Sequence, residues 1–367
     1  MTDPRVSSLA RVLIRYCLDL QPGKELQINS TYLAEPLIRE VYREALLAGA
    51  YPVPRVSISG LGPLFYRLAS DEQISHVSEL DRFETEKIDA AIGIGAAWNT
   101  KAGSGLDPRK LALSASSHRA LMERMMEREA KGEFKWVGTL FPTNAAAQDA
   151  EMALDDYEDF VYGAMLVDKP DPIAEWRRIS AEQERLVKFL NEVKTVEVKT
   201  RDTHLTFRCE GRKWVNCDGK MNFPDGEVFT GPIEDSVEGS IRFSFPAIYA
   251  GREVEDVRLR FEKGKVVEAH AGKGEDLLQT MLDSDAGARF TGETAFGTNY
   301  GIQRFTKNTL FDEKIGGTMH LALGASLPES GGKNKSAIHW DMVCDLRQGG
   351  EVFADGKLMH KDGKFLI

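Results

Sequence analysis

Residues 336–346 read SAIHWDMVCDL and alternate apolar and polar side chains with the period of two that a β-strand imposes. One face of this segment is entirely apolar and consists of Ile338, Trp340, Met342, Cys344 and Leu346. The opposite face carries His339 and Asp341 two residues apart. The pattern predicts a strand whose back lies in the core and whose other face places an imidazole beside a carboxylate.

Residues 316–324, GGTMHLALG, repeat this alternation. The apolar face holds Met319, Leu321 and Leu323, and the other face holds Thr318, His320, Ala322 and Gly324. Small side chains beside His320 leave room for another group to approach its ring. We therefore expect a second strand of the same kind, with its histidine accessible from the side opposite the core.

Acidic residues accompany the two histidines at several places in the C-terminal half, namely Asp225, Glu227, Glu293, Asp312 and Glu313. Carboxylates and imidazoles together bind divalent cations. Polar residues on the wet face of a one-sided antiparallel sheet are also ordinary surface groups. These residues alone leave both interpretations open.

The two halves of the chain have different patterns. Up to about residue 194, amphipathic helices such as 110–131 alternate with apolar strands such as 88–94, which favours a mostly parallel sheet flanked by helices. From Thr195 onward, valine-rich alternation and turn dipeptides predict antiparallel hairpins. The dipeptides are Asp218-Gly219, Asp225-Gly226, Asp355-Gly356 and Asp362-Gly363. The prediction is an α/β N-terminal domain, residues 1–194, followed by an α+β C-terminal domain, residues 195–367, which contains the candidate metal-binding and catalytic residues.

Composition and charge argue against several classes of protein. A net charge of −10 over 367 residues argues against a nucleic-acid binder, which needs a basic face. No apolar run reaches the length of a membrane span or a signal peptide. The four cysteines show no CxxC spacing, which fits a reducing compartment and predicts a cytoplasmic protein.

A nucleotide-dependent oxidoreductase is one alternative function. Gly93 and Gly95 follow a predicted strand, as in a dinucleotide-binding turn, but Trp98 occupies the position of the third glycine. A simple turn from strand to loop is therefore the favoured interpretation of this segment.

Several segments resemble, in the same order, the motifs of the thermophilic metalloaminopeptidase family, which includes aminopeptidases T, S and II. They are FPTNAAAQDAEMALDDYEDFVY, NFPDGEVFTGP, TGET, NTLFDEKIGGTMHLALG and GGKNKSAIHWDMVCDL. The resemblance implies a peptide substrate, hydrolysis of the N-terminal residue by a metal-activated water, and a homodimer.

The resemblance also implies two divalent metal ions on six ligand positions: Glu227, Glu293, Glu313, His320, His339 and Asp341. Histidine ligands favour Zn, Co or Mn over Mg or Ca. Glu293 matches the acid that bridges the metals or acts as general base.

The chain departs from the family pattern in two places. The family has a catalytic tyrosine seven residues after the first histidine and just before a proline, whereas this chain has Leu327 before Pro328. Tyr300 is a candidate substitute. The stretch from Glu313 to His320 is also two residues longer than usual. The first departure supports the alternative of a catalytically weakened member that binds metal or peptide.

Overall fold

The structure is a computed structural model that describes residues 3–249 and 251–367. Helices and strands alternate up to residue 190: α1 (Pro4–Val12), a π-helical turn (Leu13–Cys17), β1 (Glu25–Thr31), a 3-10 turn (Tyr32–Ala34), α2 (Glu35–Leu47), β2 (Tyr51–Ser57), α3 (Leu61–Leu68), α4 (Asp71–Ser75), α5 (Glu79–Lys87), β3 (Ala90–Gly95), α6 (Pro108–Ala130), β4 (Lys135–Leu140), α7 (Asn144–Asp149), α8 (Leu154–Ala164) and α9 (Pro172–Leu190). Strands then predominate: β5 (Thr195–Lys199), β6 (His204–Arg208), β7 (Val215–Cys217), β8 (Asn222–Phe223), β9 (Glu227–Thr230), β10 (Glu238–Arg242), β11 (Ala247–Tyr249), β12 (Arg252–Val254), β13 (Arg258–Glu262), β14 (Lys265–His270), α10 (Glu275–Leu282), β15 (Thr291–Gly297), α11 (Thr309–Asp312), β16 (Thr318–Gly324), a 3-10 turn (Pro328–Ser330), β17 (His339–Asp345), β18 (Glu351–Ala354), β19 (Lys357–Lys361) and β20 (Lys364–Phe365).

The chain forms two compact units. Unit 1 extends to Ile173 and includes Gly219–Phe223, and unit 2 comprises Ala174–Asp218 and Pro224–Ile367. Nearly all of helix α9 belongs to unit 2, although the helix precedes residue 195 in the chain. Strands begin to predominate at Thr195, the first residue of β5. The division at residue 195 stays a prediction about domain organisation.

Unit 1 contains a five-stranded sheet with the order β2-β1-β3-β4-β8. Every neighbouring pair in this sheet is parallel. This confirms the predicted parallel α/β architecture. Because β2 and β3 lie on opposite sides of β1, the winding direction reverses between β1 and β3, and such a reversal opens a crevice at the carboxyl ends of the strands.

That crevice has a volume of about 700 Å³ and is lined by residues 29–31, 55–57 and 93–97. Two of its hydroxyl groups donate hydrogen bonds to backbone carbonyls at the edge of the sheet. Ser30 Oγ donates to the Ile94 carbonyl at 2.9 Å, and Thr31 Oγ1 donates to the Ala96 carbonyl at 2.8 Å. The side-chain hydroxyls of Ser30 and Thr31 in the crevice thus already have partners within the sheet.

Unit 2 is built from antiparallel sheets, as predicted for the C-terminal half. One has the order β14-β13-β10-β6-β5-β18-β19-β20, a second has the order β17-β16-β15-β9-β7, and β11 pairs with β12. A single hydrophobic core contains side chains from both large sheets, for example Val198 and Phe207 from the first and Leu321 and Trp340 from the second. The second sheet therefore has one face fixed in the core.

The predicted hairpin turns have two outcomes. Asp355-Gly356 and Asp362-Gly363 join the antiparallel pairs β18–β19 and β19–β20, and all four residues have positive φ. The hairpins predicted at Asp218-Gly219 and Asp225-Gly226 are wrong. Between these dipeptides the chain adds β8 to the parallel sheet, and β7 pairs with β9 instead. A turn dipeptide specifies a reversal of the chain but not its partner strand.

No helix within the described residues is both long enough and apolar enough to cross a membrane.

Candidate metal centre

Three neighbouring strands of the second sheet bring the predicted site residues to one surface. In the register of β15, β16 and β17, Glu293 lies opposite Ala322, and Ala322 lies opposite Asp341. His339 lies opposite Gly324. A small residue thus separates the carboxylates in the cross-strand row, which leaves space between them as the sequence pattern suggested.

The apolar backs of these strands hold the site in register. Met319, Leu321 and Leu323 of β16 are buried in the core, as are Trp340 and Met342 of β17. This confirms the predicted orientation of both segments. A slip of one residue would move every one of these side chains out of the core, so hydrophobic burial fixes the direction in which His320, His339 and Asp341 point.

A β-bulge between Thr291 and Glu293 adjusts the direction of Glu293. Gly292 lies in the bulge, and a Cβ at this position would collide with the carbonyl oxygen atoms of Gly324 and Ala325. Only glycine allows β15 to lie so close to the end of β16. The TGET segment therefore needs its glycine to place the acid that follows.

Glu227 comes from β9, where it pairs with Gly297 of β15. Gly226 precedes it with φ of +120°, and a Cβ there would lie 2.7 Å from Asn299 Cβ. The backbone carbonyl of Glu227 accepts a hydrogen bond of 2.7 Å from Gln183 Nε2. The turn and this amide together fix the strand that carries Glu227.

Glu313 follows helix α11 directly and caps its C-terminus. The preceding residue, Asp312, is buried and accepts hydrogen bonds from the backbone N–H of Thr306 at 2.6 Å and from its hydroxyl at 3.0 Å. This closed turn presents Glu313 toward β16.

All six predicted ligand residues lie together in the structure. His320 Nε2 is 3.4 Å from Glu293 Oε1, 3.7 Å from Glu227 Oε2 and 4.0 Å from Asp341 Oδ1. His339 Nε2 is 3.2 Å from Glu293 Oε2 and 3.5 Å from Asp341 Oδ1. Two sets of candidate ligand atoms overlap here, Glu293–His339–Asp341 and Glu313–His320–Asp341.

Backbone carbonyls orient both histidine rings. The Nδ1–H of His320 donates to the Glu313 carbonyl at 3.1 Å, and the Nδ1–H of His339 donates to the Ala325 carbonyl at 2.8 Å. In each ring Nε2 is then the atom that faces the carboxylates. Fixing one nitrogen with a carbonyl while the other faces the ion is the usual arrangement around metal-ligating histidines.

The carboxyl groups divide into two electrostatic classes. Burial raises the pKa of Glu227 to about 8 and raises that of Glu313 above its ordinary value. Burial also acts to raise the pKa of Glu293 and Asp341, but their contacts with the two histidines outweigh it. The pKa of each of these two groups therefore lies below its ordinary value.

The histidines respond in the opposite direction. Burial by itself lowers their pKa, but the surrounding carboxylates outweigh it and raise the pKa of His320 to about 10 and that of His339 to about 11. Without another cation, the protein needs these protons to offset the buried negative charge. The cluster is thus built to bind positive charge.

The residues fit a divalent metal ion. Carboxylate oxygens and imidazole nitrogens are the donors that such ions take in proteins. Glu227 Oε2 is buried and makes no hydrogen bond, although it faces His320. A buried acceptor without a hydrogen bond costs stability, which a coordinated cation would recover.

The sequence did not indicate that Lys314 belongs to the site, and it did not single out Asp225 or Cys217 as candidate ligands. Lys314 is fully buried, and its Nζ contacts Glu313 Oε1 and lies 3.5 Å from Glu227 Oε1. Cys217, Asp225 and Glu227 form a third group of candidate ligand atoms. The only signal for Lys314 was its position directly after a predicted ligand.

Leu327 has no phenol, and the Tyr300 hydroxyl has a backbone partner. Leu327 is half-buried and precedes the 3-10 turn Pro328–Ser330. Tyr300 donates its hydroxyl to the Gly363 carbonyl at 2.9 Å. Its phenol is therefore engaged with the backbone near β20.

Comparison with known proteins agrees with this geometry. The sequence profile of the family described as thermophilic metalloprotease (M29) matches residues 2–365. Aminopeptidase 2 of Geobacillus stearothermophilus is 28% identical over 397 residues, covering 97% of this chain and 95% of its own length. Aminopeptidase T of Thermus aquaticus is 28% identical over 404 residues, covering 96% and 94%.

A solved structure shares the fold. Wild-type AmpT from Thermus thermophilus superposes with a TM-score of 0.85 at 26% sequence identity and covers 99% of both chains. The match of fold and family profile over nearly the whole length shows that the chain belongs to the thermophilic metalloprotease (M29) family and is a metal-dependent peptide hydrolase.

Proposed function

We propose that this protein is a dinuclear-metal aminopeptidase that removes the N-terminal residue from peptides. The observation that carries this proposal is the position of Glu293 between the two histidines. Its Oε1 faces His320 and its Oε2 faces His339, while Asp341 belongs to both sets of ligand atoms. A carboxylate with one oxygen toward each histidine would allow two neighbouring cations to share it.

We assign the ligands to two subsites. Subsite A consists of Glu293, His339 and Asp341, and subsite B consists of His320, Glu227 and Glu313, with Glu293 and Asp341 shared between them. The four carboxylates balance the charge of two divalent ions. Because imidazole takes part in both subsites, Zn, Co or Mn is favoured over Mg or Ca.

Two divalent ions at this centre would acidify a water and polarise the carbonyl of the scissile bond. Glu293 accepts the proton of the attacking water and delivers it to the amine that leaves. Its contacts with the two histidines hold the pKa of Glu293 below its ordinary value, so Glu293 is a carboxylate at neutral pH, which is the form that accepts a proton. The near-complete burial of Glu293 keeps bulk water from competing for this proton.

Restriction to the N-terminal residue would follow if the free α-amine of the peptide bound one of the metal ions. Only the first residue of a peptide carries such an amine, so cleavage would be confined to that residue. The relatives compared above are named aminopeptidases, which agrees with this specificity.

A second candidate function is a weakened family member that binds metal or peptide with little turnover. The observation that favours it is Leu327 at the position of the expected tyrosine, together with the engagement of Tyr300 elsewhere.

A panel of aminoacyl-naphthylamides and short peptides, assayed with zinc, cobalt or manganese, separates the two functions. The aminopeptidase proposal expects release of free N-terminal residues that a chelator abolishes and added metal restores. Metal binding without release of any residue would support the weakened member instead.

We also propose a homodimer in the cytoplasm. Helix α3 of unit 1 leaves Leu61, Leu64, Phe65 and Leu68 at least 44% exposed, and such apolar patches mark interaction surfaces. Cys209, Cys217 and Cys344 are free thiols, as expected in a reducing compartment. Light scattering during size-exclusion chromatography tests the dimer, and a monomer at micromolar concentration would contradict it.

A further inference from the structure

Lys314 places a permanent positive charge inside the candidate metal centre. Its side chain is completely buried, and both of its ion pairs run to carboxylates of subsite B, namely Glu227 and Glu313. A buried lysine is stable in its charged form only when anions surround it. Lys314 therefore keeps its charge by using the carboxylates that subsite B offers to a metal.

The total charge allows this ammonium to remain when metal is bound. Asp225 adds a fifth carboxylate to the four of the ligand set, since one of its carboxylate oxygens lies within 4.8 Å of a carboxylate oxygen of Glu227. Five carboxylates balance two divalent ions and one ammonium. Lys314 thus need not leave the centre, and its effect is on the distribution of positive charge within it.

The distribution is unequal between the subsites. Glu227 Oε1 and Glu313 Oε1 point toward Lys314, so each of these carboxylates already satisfies a cation before any metal arrives. In subsite A, the ion pairs of Glu293 and Asp341 within the described residues run to His320 and His339, which are themselves predicted ligands. Lys314 is not one of the six predicted ligands, so a metal at subsite B would share Glu227 and Glu313 with an additional cation.

We infer that Lys314 makes the two metal subsites unequal, so that subsite A fills first and subsite B binds its ion more weakly because it competes with the Lys314 ammonium. This rests on the proposed dinuclear function and goes beyond it, because it assigns the order of filling to one residue outside the ligand set. Lys314 is a positioning residue in this account and not a ligand.

The test is a calorimetric titration of metal-free protein with zinc, supported by elemental analysis of metal content after dialysis. The wild type should show two binding steps that differ by about tenfold or more in affinity, as expected for one nearby ammonium. Lys314→Met keeps an unbranched side chain that is one heavy atom shorter and removes the charge. In that variant the second step should tighten by about tenfold or more while the first changes little.

Lys265→Met is the matched control, since it removes the same charge from an exposed position on β14. It should leave both steps as in the wild type. Two equal binding steps in the wild type that Lys314→Met does not change would overturn the inference while leaving the dinuclear proposal in place. A single ion per chain in the wild type and in Lys314→Met would instead refute the dinuclear proposal.

A second pair of variants tests the inference if Lys314→Met does not fold. His339→Ala disables subsite A and leaves the subsite beside Lys314, whereas His320→Ala disables subsite B. The remaining site should bind zinc more weakly in His339→Ala than in His320→Ala. The reverse order would overturn the inference without any change at Lys314.

Discussion

The crevice of unit 1 and the candidate metal centre of unit 2 differ in how their polar groups are satisfied. In the crevice of unit 1, hydroxyl groups donate to carbonyls of the sheet itself, and Arg55 forms an ion pair with Glu84. In unit 2, four carboxylates converge at a few ångströms from two imidazoles, and Glu227 Oε2 has no hydrogen bond.

The difference shows which of two polar regions is built for chemistry. Where polar groups already form hydrogen bonds or ion pairs with one another, a ligand adds little binding free energy. A buried cluster with surplus negative charge is costly until a cation arrives, so the free energy of binding is large at the second region and small at the first. The following predictions test that contrast, from the largest expected effect to the smallest.

Replacing Glu293 with Gln should reduce kcat/KM for an aminopeptidase substrate by about 10²–10⁴-fold, since the amide cannot accept the proton of the attacking water. The fold should survive, because Gln has nearly the same shape as Glu. Steady-state kinetics and a thermal melt measure the two effects. The matched control is Glu192→Gln, which changes an exposed glutamate and should retain full activity. Near-normal turnover in Glu293→Gln would remove Glu293 from the mechanism.

Adding zinc or manganese to metal-free protein should raise Tm by several degrees, because an ion at a hundred times its Kd contributes about 2.7 kcal/mol. NAD at the same excess should leave Tm unchanged. Its candidate binding site is the crevice of unit 1, where the third glycine of a dinucleotide-binding turn is missing. Differential scanning fluorimetry gives both values. A rise in Tm with NAD and none with the metals would contradict the assignment of ligand binding to the metal centre.

Metal affinity should increase with pH between about pH 6 and pH 9, because His320 and His339 must release the protons that their raised pKa values retain. Calorimetry in buffers of different ionisation enthalpy counts the protons released. Binding without proton release would show that both Nε2 atoms are already unprotonated in the metal-free protein.

The stability of metal-free protein should change with pH in the opposite sense. The two histidines have folded-state pKa values of about 10 and 11, above the unfolded value of about 6.5. Their contribution is therefore complete below about pH 6.5 and is lost as the pH rises through the folded values. Urea unfolding at pH 6.5 and pH 9 measures the change, and a chain that becomes more stable over this interval would contradict the assigned pKa direction.

Replacing Arg55 with Ala should have the smallest effect. The Arg55 side chain is 53% exposed, so the loss of its ion pair with Glu84 should cost less than about 1 kcal/mol. Metal affinity and kcat should stay within about twofold of the wild type. A large fall in metal affinity would show that the two regions are energetically linked.

Local patterns in the sequence predicted much of the fold. The alternation of apolar and polar residues around His320 and His339 predicted both the core face and the site face of each strand, because hydrophobic burial decides which face of a strand lies in the core. Helix α6 was expected from residue 110 and begins at Pro108, since Asp107 caps it through the backbone N–H of Arg109. The hairpin at Asp225-Gly226 failed because pairing with a distant strand leaves no local signal.

The site was only partly accessible to sequence reasoning. His339 and Asp341 were paired by spacing, whereas the convergence of Glu227 and Glu313 on the same centre came from family resemblance, because these residues are far apart in the chain. Lys314 was missed, since a lysine after an acidic pair is normally a solvated surface group. Its burial depends on the tertiary arrangement of five carboxylates, which no local pattern encodes.

Anomalous diffraction from crystals of the zinc-loaded protein tests the central claim most directly. We expect two peaks for each chain, one among Glu293, His339 and Asp341 and the other among Glu227, Glu313 and His320. Peaks at other residues, or none within reach of Glu293, would contradict it.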